Sequence, residues 1–274
     1  MIVALFATFS LAAQPKHDLK LGRSIKAFDQ YLLKTNYESQ THTQLFVNDE
    51  LRGDSVEKFN VILSAQCSVV SVTVDGQEKE KRLVIRDFRR LTDRDTIDLL
   101  PTGTKIRCWF SDSGSIYTIN DEPTPDAISQ ILVEVVKGEG GARTGNVLDA
   151  KKPVAVGSTW KMNIPAFRKM LGKEMSNLMK KLTGTVTFKS IDSLPQQPTA
   201  TIVARAEAPK FSLKFGDMPS SASLIADFTI VVPLDVRFPA LSIATSTVQR
   251  ITTKQGIARM ELAISSKRTS LFLR

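Results

Sequence analysis

Two short polar motifs contain residue types that carry out hydrolysis in other proteins. Arg52-Gly53-Asp54-Ser55 includes the Gly-Asp-Ser of one hydrolase class, and Ser55 and Lys58 have the S-x-x-K spacing. A serine nucleophile needs a base to remove its proton, and no histidine follows His42. Neither S-D-N nor K-T-G accompanies the second motif. We therefore assign no catalytic residue, interpret residues 52–55 as a polar turn, and lean towards a non-enzyme without excluding a hydrolase with an unrecognised site.

The remaining candidates for metal or cofactor chemistry are also weak. Carboxylates cluster at Asp93, Asp95 and Asp98, but Arg94 lies among them, a pattern typical of a solvated loop. The two histidines, His17 and His42, do not have metal-ligand spacing. Residues 138–146, GEGGARTGN, match neither the phosphate-loop nor the dinucleotide-binding spacing. We expect no metal and no cofactor, and we predict that residues 138–146 form a flexible linker.

The chain has a net charge of +9 and a sequence pI near 9.6, so anionic surfaces attract it. Its cations are dispersed among acidic residues, and only 7% of residues are aromatic. Nucleic-acid binders usually concentrate cations on one face and interleave aromatic residues. We therefore expect no nucleic-acid partner.

The N-terminus predicts export. Residues 2–13, IVALFATFSLAA, are apolar and uncharged, as in the hydrophobic region of a signal peptide. We predict a signal peptide at 1–13 and a mature domain at 14–274, in the periplasm or outside the cell. No Lys or Arg precedes the apolar run, and a buried N-terminal strand or helix is the alternative. No other segment is long and apolar enough to span a membrane.

Two cysteines, Cys67 and Cys108, lie in apolar stretches that resemble strands. In an exported protein they could face each other on neighbouring strands and form one disulfide. Two buried free thiols are the alternative. The sequence leaves both outcomes open.

Alternating apolar residues predict most of the chain to be β-strand. Val61, Leu63 and Ala65 begin this pattern, and long alternating stretches follow after residue 184. Short turns between the stretches favour antiparallel pairing. We predict an α+β fold with an extended, curved antiparallel sheet of about ten strands and two or three packed helices. We predict that residues 14–274 form one domain. An alternative is that this domain consists of two similar halves joined near residues 138–152.

Two helices are predicted on one side of this sheet. The first has Thr124 as its N-cap and Pro125 at its first position. The second spans residues 165–182 and has an apolar and a basic face, so it caps the sheet or lies on an anionic surface. Its apolar side chains could line a site for an apolar ligand, or they could simply fill the core. The candidate lining residues are Phe167, Met170, Met175 and Met179, together with Trp160.

Residues 153–160 read PVAVGSTW, in which Gly157 suits a turn with positive φ and Trp160 begins a strand. We expect the Trp160 indole to anchor the core by donating to a carbonyl group. The segment resembles the Pro-Val-x-x-Gly-Asp/Ser-x-Trp segment of poorly characterised exported bacterial proteins. That resemblance implies an exported protein with an extended antiparallel sheet, like that of periplasmic lipoprotein carriers, and assigns no functional residue.

These observations favour a non-catalytic protein that binds or carries an apolar, lipid-like ligand or an envelope partner. The alternative is an envelope structural or interaction module that docks partners or anionic surfaces through its basic face or sheet edge. The sequence does not specify the ligand or the oligomeric state.

Overall fold

The structure is a computed structural model that describes residues 15–22, 25–111, 114–138, 142–171, 177–193, 197–215, 218–235, 237 and 240–273. The predicted signal peptide at 1–13 lies outside these residues, so the predicted export and domain boundaries stay predictions. Within the described ranges, thirteen strands form one open antiparallel sheet accompanied by three short helices. The antiparallel α+β prediction is confirmed, but the number of strands exceeds the predicted ten.

The strands differ widely in length. The short ones, which have too few residues to show alternation, are β4 (Thr96–Asp98), β7 (Glu122–Pro123) and β8 (Thr159–Lys161). The others in the first half are β1 (Gln30–Val47), β2 (Glu50–Val72), β3 (Glu78–Leu91), β5 (Lys105–Ser111) and β6 (Gly114–Ile119). Those in the second half are β9 (Thr183–Ser193), β10 (Pro198–Phe215), β11 (Met218–Pro233), β12 (Ser242–Gln255) and β13 (Ala258–Leu273).

The sheet consists of two meanders that meet at its centre. Its order is β7-β6-β5-β3-β2-β1-β13-β12-β11-β10-β9-β8, and β4 pairs with β3 outside this path. The first strand therefore pairs with the last, in regular register from Leu32–Leu273 to Val47–Ala258. The connection from β7 to β8 joins the two ends of the sheet, and it carries the first two helices.

The turn between β1 and β2 replaces the predicted turn at residues 52–55. Asn48 and Asp49 both have positive φ, 53° and 61°, as in the tight turns that match the twist of a hairpin. Residues 52–55 lie inside β2, where Leu45 pairs with Gly53 and Phe46 with Leu51. The interpretation of the Arg-Gly-Asp-Ser segment as a turn was wrong, because the hairpin reverses before it and a bulge accommodates the extra residue.

The first helix, α1 (Asp126–Val135), confirms the predicted helix in this region. Pro125, rather than Thr124, occupies the N-cap position, and no side chain caps the helix. The second helix, α2 (Ala142–Leu148), lies where we predicted a linker. Its C-terminal end is stabilised by residues distant in sequence, since Asn163 N donates to Val147 O at 2.9 Å. Such partners leave no local signal.

The third helix, α3 (Ile164–Met170), is shorter than the predicted 165–182 helix. Asn163 is its N-cap and accepts a hydrogen bond from Ala166 N. The Arg168 side chain donates to the carbonyl groups of Met179 and Lys180. In one straight helix those carbonyl groups would lie about 16 Å further along the axis, so residues 177–182 must fold back towards α3.

One face of the sheet, which we call the inner face, carries both hydrophobic cores. The N-terminal core contains buried side chains of β2, β3, β5 and α1, including Val61, Leu83, Ile106 and Leu132. The C-terminal core contains buried side chains from β9 to β12 and from α2 and α3. Leu19 and Leu21, from the start of the described chain, also belong to the C-terminal core. Each core therefore covers one half of a single sheet.

Candidate ligand-binding face

Both cores contact the half-buried Ile243 on β12. Further along the central strands, the two cores no longer contact a common residue within the described ranges. The inner-face positions between them are mostly half-buried and rich in hydroxyl groups. Thr247 Oγ1 and Ser266 Oγ form a hydrogen bond of 2.7 Å, and Thr35 Oγ1 and Ser270 Oγ form one of 3.1 Å. The centre of the inner face therefore combines polar groups with accessible apolar surface.

Three apolar side chains of β1 and β13 lie on the inner face but belong to neither core. They are Leu45, Met260 and Ile264, which we call the inner-face patch. Leu45 pairs directly with Met260, and it is 42% exposed. Nothing in the described part of the chain buries Leu45, so the patch is accessible to a ligand.

Tyr37 lies at the edge of the N-terminal core, on the same face as the patch. Burial raises the pKa of its phenol, and the Glu134 carboxylate on α1 raises that pKa further. Hydrogen bonds with the Ser39 and Ser266 hydroxyl groups act in the opposite direction. The phenol is therefore neutral at physiological pH and is available as a hydrogen-bonding group.

A buried ion pair lies inside the N-terminal core. Lys81 Nζ contacts Glu78 Oε2 at 2.8 Å, and both side chains are fully buried. Tyr31 Oη donates to Glu78 Oε1 at 2.6 Å, while Lys81 also donates to Lys137 O at 2.7 Å. Lys137 follows α1, so the pair connects the sheet to the end of that helix. With a buried charge on each partner, this cluster is structural and offers no opening to a substrate.

The two cysteines are free, so of the two outcomes that the sequence left open, the structure shows two buried thiols and no disulfide. Cys67 lies on β2 and Cys108 on β5, and β3 separates the two strands. Strands that are not neighbours lie about 10 Å apart, which is beyond the distance that a disulfide can join. Burial raises the pKa of the Cys67 thiol to about 12 and raises the pKa of Cys108 as well. Both groups are therefore protonated thiols in the core.

The predicted lining residues of the second helix are not brought together at an open site. Phe167 and Met179 are buried in the C-terminal core, where the Phe167 ring meets the Phe228 ring edge-to-face at 6.0 Å. Met170 ends α3, and Met175 lies outside the described residues. The role of these four residues in ligand binding stays a prediction. The inner-face patch was missed because it depends on the pairing of β1 with β13, and the sequence does not show which part of their apolar face stays uncovered.

Trp160 anchors the far end of the sheet as the sequence predicted. Its Nε1 donates to Leu148 O at 2.8 Å, and Gly157 has the expected positive φ of 85°. Beside Trp160 lies a groove of about 1320 Å³. Four lysines line the groove, and Asp149, the acid among its lining residues, accepts a hydrogen bond from Leu21 N. These lysines are Lys16, Lys151, Lys152 and Lys161. We call this site the basic groove.

A second groove, of about 800 Å³, lies on the opposite, outer face of the central strands. Its lining combines the charged outer-face residues Lys58, Lys267 and Glu38 and the nearby Asp93 with some inner-face residues, among them Arg90 and Phe59. His42 also lies on this face, 2.5 Å from Asp54 Oδ1. No group of His, Cys, Asp and Glu within the described residues could hold a metal ion. We assign no reaction chemistry to the outer face.

Comparisons with known proteins identify no family. No family model matches the sequence, and no curated protein matches it. Within the described ranges, no helix has the length and apolar character needed to cross a bilayer.

Three of the solved structures that the chain resembles are each a distant likeness at 8% identity. A lipovitellin structure concerned with lipid–protein interactions matches with a TM-score of 0.36 over 89% of this chain, which spans 25% of that chain. Pseudomonas aeruginosa OpdQ matches with a TM-score of 0.28, over 90% of this chain and 98% of its own. An outer membrane channel from Pseudomonas putida F1 matches with a TM-score of 0.22, over 92% and 98%. At these TM-scores the likenesses carry no argument about function.

Proposed function

We propose that the protein is a non-catalytic binding or carrier protein for an apolar ligand that lies on the inner face, between the two cores. The observation that carries this proposal is the inner-face patch. Leu45, Met260 and Ile264 lie on the same side of the sheet as both cores but are buried by neither. Exposed apolar surface is unfavourable by about 25 cal/mol per Å², so a ligand that covers the patch gains that free energy.

The strands next to the patch suit an extended chain. Side chains on one face of a strand repeat every second residue, so an alkyl chain that lies along β1 and β13 contacts Thr41, Thr43 and Leu45 in turn. Met260 adds a flexible side chain that can adapt to ligands of different shape. We include in this proposal the finer architecture expected from the sequence, a sheet that curves towards its inner face as in periplasmic lipoprotein carriers.

Native mass spectrometry of the full-length protein tests the proposal. We expect a retained non-protein mass, and we expect dodecyl phosphate to bind when no natural ligand is retained. Ile264→Glu places a charge on the inner face and should weaken alkyl-chain binding at least tenfold. Ser265→Glu, which changes the adjacent outer-face position, is the matched control and should leave binding unchanged. Equal affinity of both variants for the alkyl chain would rule out the inner face as the binding surface.

A second candidate function rests on the basic groove. Its four lysines concentrate positive charge beside β8, which is an edge strand of the sheet. Cations at one edge attract anionic surfaces and partners, and they also prevent unwanted strand pairing. The groove therefore supports the alternative of an interaction module that docks an anionic surface.

Salt-sensitive binding to anionic liposomes separates this candidate from the first. The double substitution Lys151→Glu and Lys152→Glu should abolish liposome retention if the basic groove docks the surface. Lys58→Glu and Lys267→Glu, on the outer face, make the same change in net charge and serve as the control. Retention that falls equally in both double variants would indicate a general charge effect and would contradict a role for the groove.

We also propose that the chain is exported, with residues 1–13 removed as a signal peptide. The support is the uncharged apolar run at the N-terminus and the resemblance of residues 153–160 to exported bacterial proteins. N-terminal sequencing of the protein from its own cells tests this proposal. A mature chain that still begins at Met1 would exclude a cleaved signal.

A further inference from the structure

Five inner-face residues form a continuous row across the centre of the sheet. Thr245 pairs with Arg268, Arg268 with Tyr37, Tyr37 with Val61, and Val61 with Arg90. The row crosses β12, β13, β1, β2 and β3. Two guanidinium groups therefore lie on either side of Tyr37, on the face that otherwise carries the two cores.

Both arginines have hydrogen-bond donors that are not satisfied within the described residues. Arg268 Nη1 and Arg90 Nε are buried and have no hydrogen-bond partner there. A buried donor without a partner is unfavourable, and the cost is larger for a charged group. Neither arginine forms an ion pair within the same part of the chain, although the Glu134 carboxylate acts on the neighbouring Tyr37. The two donors therefore indicate a binding site for an anion.

The surroundings orient Arg90. The Arg90 guanidinium lies over the Phe59 ring at 4.9 Å, and that ring meets Tyr37 edge-to-face at 6.2 Å. Arginine presents a planar fork of donors that matches a carboxylate or phosphate group. The Ser266 hydroxyl, one step along β13 from Arg268 on the same face, interacts with the Tyr37 phenol. An anion at this row would therefore meet guanidinium and hydroxyl donors together.

The row and the inner-face patch lie on the same two strands. Arg268 is four residues from Ile264 and eight from Met260, so the two distances along β13 are about 13 Å and about 26 Å. An extended dodecyl chain reaches from the row to Ile264 but not to Met260 and Leu45, which require a chain about twice as long. The arginines of the row and the apolar side chains of the patch therefore lie at a spacing that suits one amphipathic molecule.

We propose that Arg268 binds the anionic headgroup, phosphate or carboxylate, of the alkyl ligand whose chain covers the inner-face patch, while Arg90, beyond Tyr37 and Phe59, adds positive charge to the row. This inference rests on the proposed function, which names the apolar chain alone. It specifies the ligand as a single-chain anionic amphiphile. It also gives the ligand one orientation, with the headgroup at Tyr37 and the chain directed towards Leu45.

Isothermal titration of the full-length protein with three probes tests the inference. The probes are dodecyl phosphate, dodecyltrimethylammonium and inorganic phosphate. We expect dodecyl phosphate to bind at least tenfold more tightly than the cationic probe with the same chain. Arg268→Gln should remove most of that preference and leave the affinity for dodecyltrimethylammonium unchanged. Lys267→Gln loses the same charge from the adjacent outer-face position and should change neither affinity. Circular dichroism confirms that each variant retains the β-sheet spectrum.

The outcomes distinguish the two proposals. If both alkyl probes bind equally and Arg268→Gln has no selective effect, the headgroup site is overturned and the apolar binding function stands. If neither alkyl probe binds but inorganic phosphate does, and Arg268→Gln removes that binding, the anion site is supported with a free anion as its ligand and the proposed carrier function is overturned. If no probe binds, both proposals fail.

Discussion

The two cores lie on one face of one sheet, yet they differ in chemistry. Within the described residues, the only buried charged side chains are Glu78 and Lys81, and both are in the N-terminal half. All three tyrosines and both cysteines also belong to that half. The C-terminal core instead contains aliphatic side chains, two methionines and phenylalanines, with no ionisable group among its described members.

This difference determines how each half holds its helix. Lys81 and Tyr117 donate to the carbonyl groups of Lys137 and Val136 at the end of α1, so specific polar bonds fix the helix. In the other half, apolar packing of Phe167 against Phe228 holds α3 on the sheet, and the polar bonds of Arg168 and Asn163 go to residues 179–180 and to α2 instead of the sheet. Apolar packing tolerates small shifts, whereas buried polar bonds are directional and costly to leave unsatisfied. We infer that the N-terminal half is the more sensitive to single changes and to pH.

The largest expected effect comes from breaking the buried ion pair. Lys81→Ala leaves the Glu78 carboxylate buried without its cation, and it removes the bond to Lys137 O. We expect the free energy of unfolding to fall by about 3–5 kcal/mol, measured by urea denaturation. The control Lys180→Ala removes an exposed charge from the C-terminal half. It should change the free energy of unfolding by less than about 0.5 kcal/mol.

An apolar replacement of the whole pair sharpens this test. Glu78→Leu with Lys81→Met removes both charges together, so most of the lost stability should return. A double variant that stays as unstable as Lys81→Ala would mean that packing, rather than an unpaired charge, explains the loss. In that case the contrast between the two cores would disappear.

Alkaline pH should have the next largest effect, through the N-terminal thiols. Cys67 has a pKa of about 12 in the folded protein against 9.0 for an ordinary thiol, so the unfolded chain loses its proton first as the pH rises. Stability from this thiol is complete below pH 9 and decreases between pH 9 and pH 12. Cys108 is shifted in the same direction. We expect a loss of about 1–1.5 kcal/mol per thiol between pH 8 and pH 10, measured by urea denaturation.

The variant Cys67→Ala with Cys108→Ala provides the control for this prediction. It loses some stability at pH 8 because two buried side chains become smaller. Its stability should nevertheless depend less on pH than that of the natural chain. Tyr117, with its pKa raised to about 12, leaves a residual dependence above pH 10. An unchanged pH slope in the double variant would show that other groups cause the alkaline loss.

The sequence predicted the long strands from Val61 onward well, because alternation at Val61, Leu63 and Ala65 directly reflects one buried face, but it did not predict β1. It could not predict the pairing of β1 with β13, which brings the two ends of the chain together. The positions of α2 and of residues 177–182 depend on hydrogen bonds from Asn163 and Arg168, which are distant in sequence. Tertiary contacts of this kind leave no periodic pattern in the sequence.

The candidate site was predicted less well than the fold. Sequence reasoning chose methionines of an amphipathic stretch, since flexible apolar residues at helical spacing often line ligand sites. In the structure Met179 is core, and the accessible apolar side chains lie on strands whose alternation is diluted by Thr and Ser. Arg268 and Arg90 are far apart in sequence, and only the strand order places them in one row with Tyr37.

The smallest expected effect concerns a feature that both halves share. Gly103 and Gly157 have nearly equal positive φ values, 87° and 85°, and an added Cβ would meet no atom within 4 Å at either position. Gly103→Ala and Gly157→Ala therefore cost only backbone strain, about 1 kcal/mol each, measured by urea denaturation. Equal losses would show that the contrast lies in the cores and not in the turns. A loss at Gly103 several times larger than at Gly157 would instead mean that the N-terminal half is more sensitive throughout. Gly103 precedes Thr104 and the start of β5, and strain in that turn would then affect the ion pair through β5 and its neighbour β3, which carries Glu78 and Lys81.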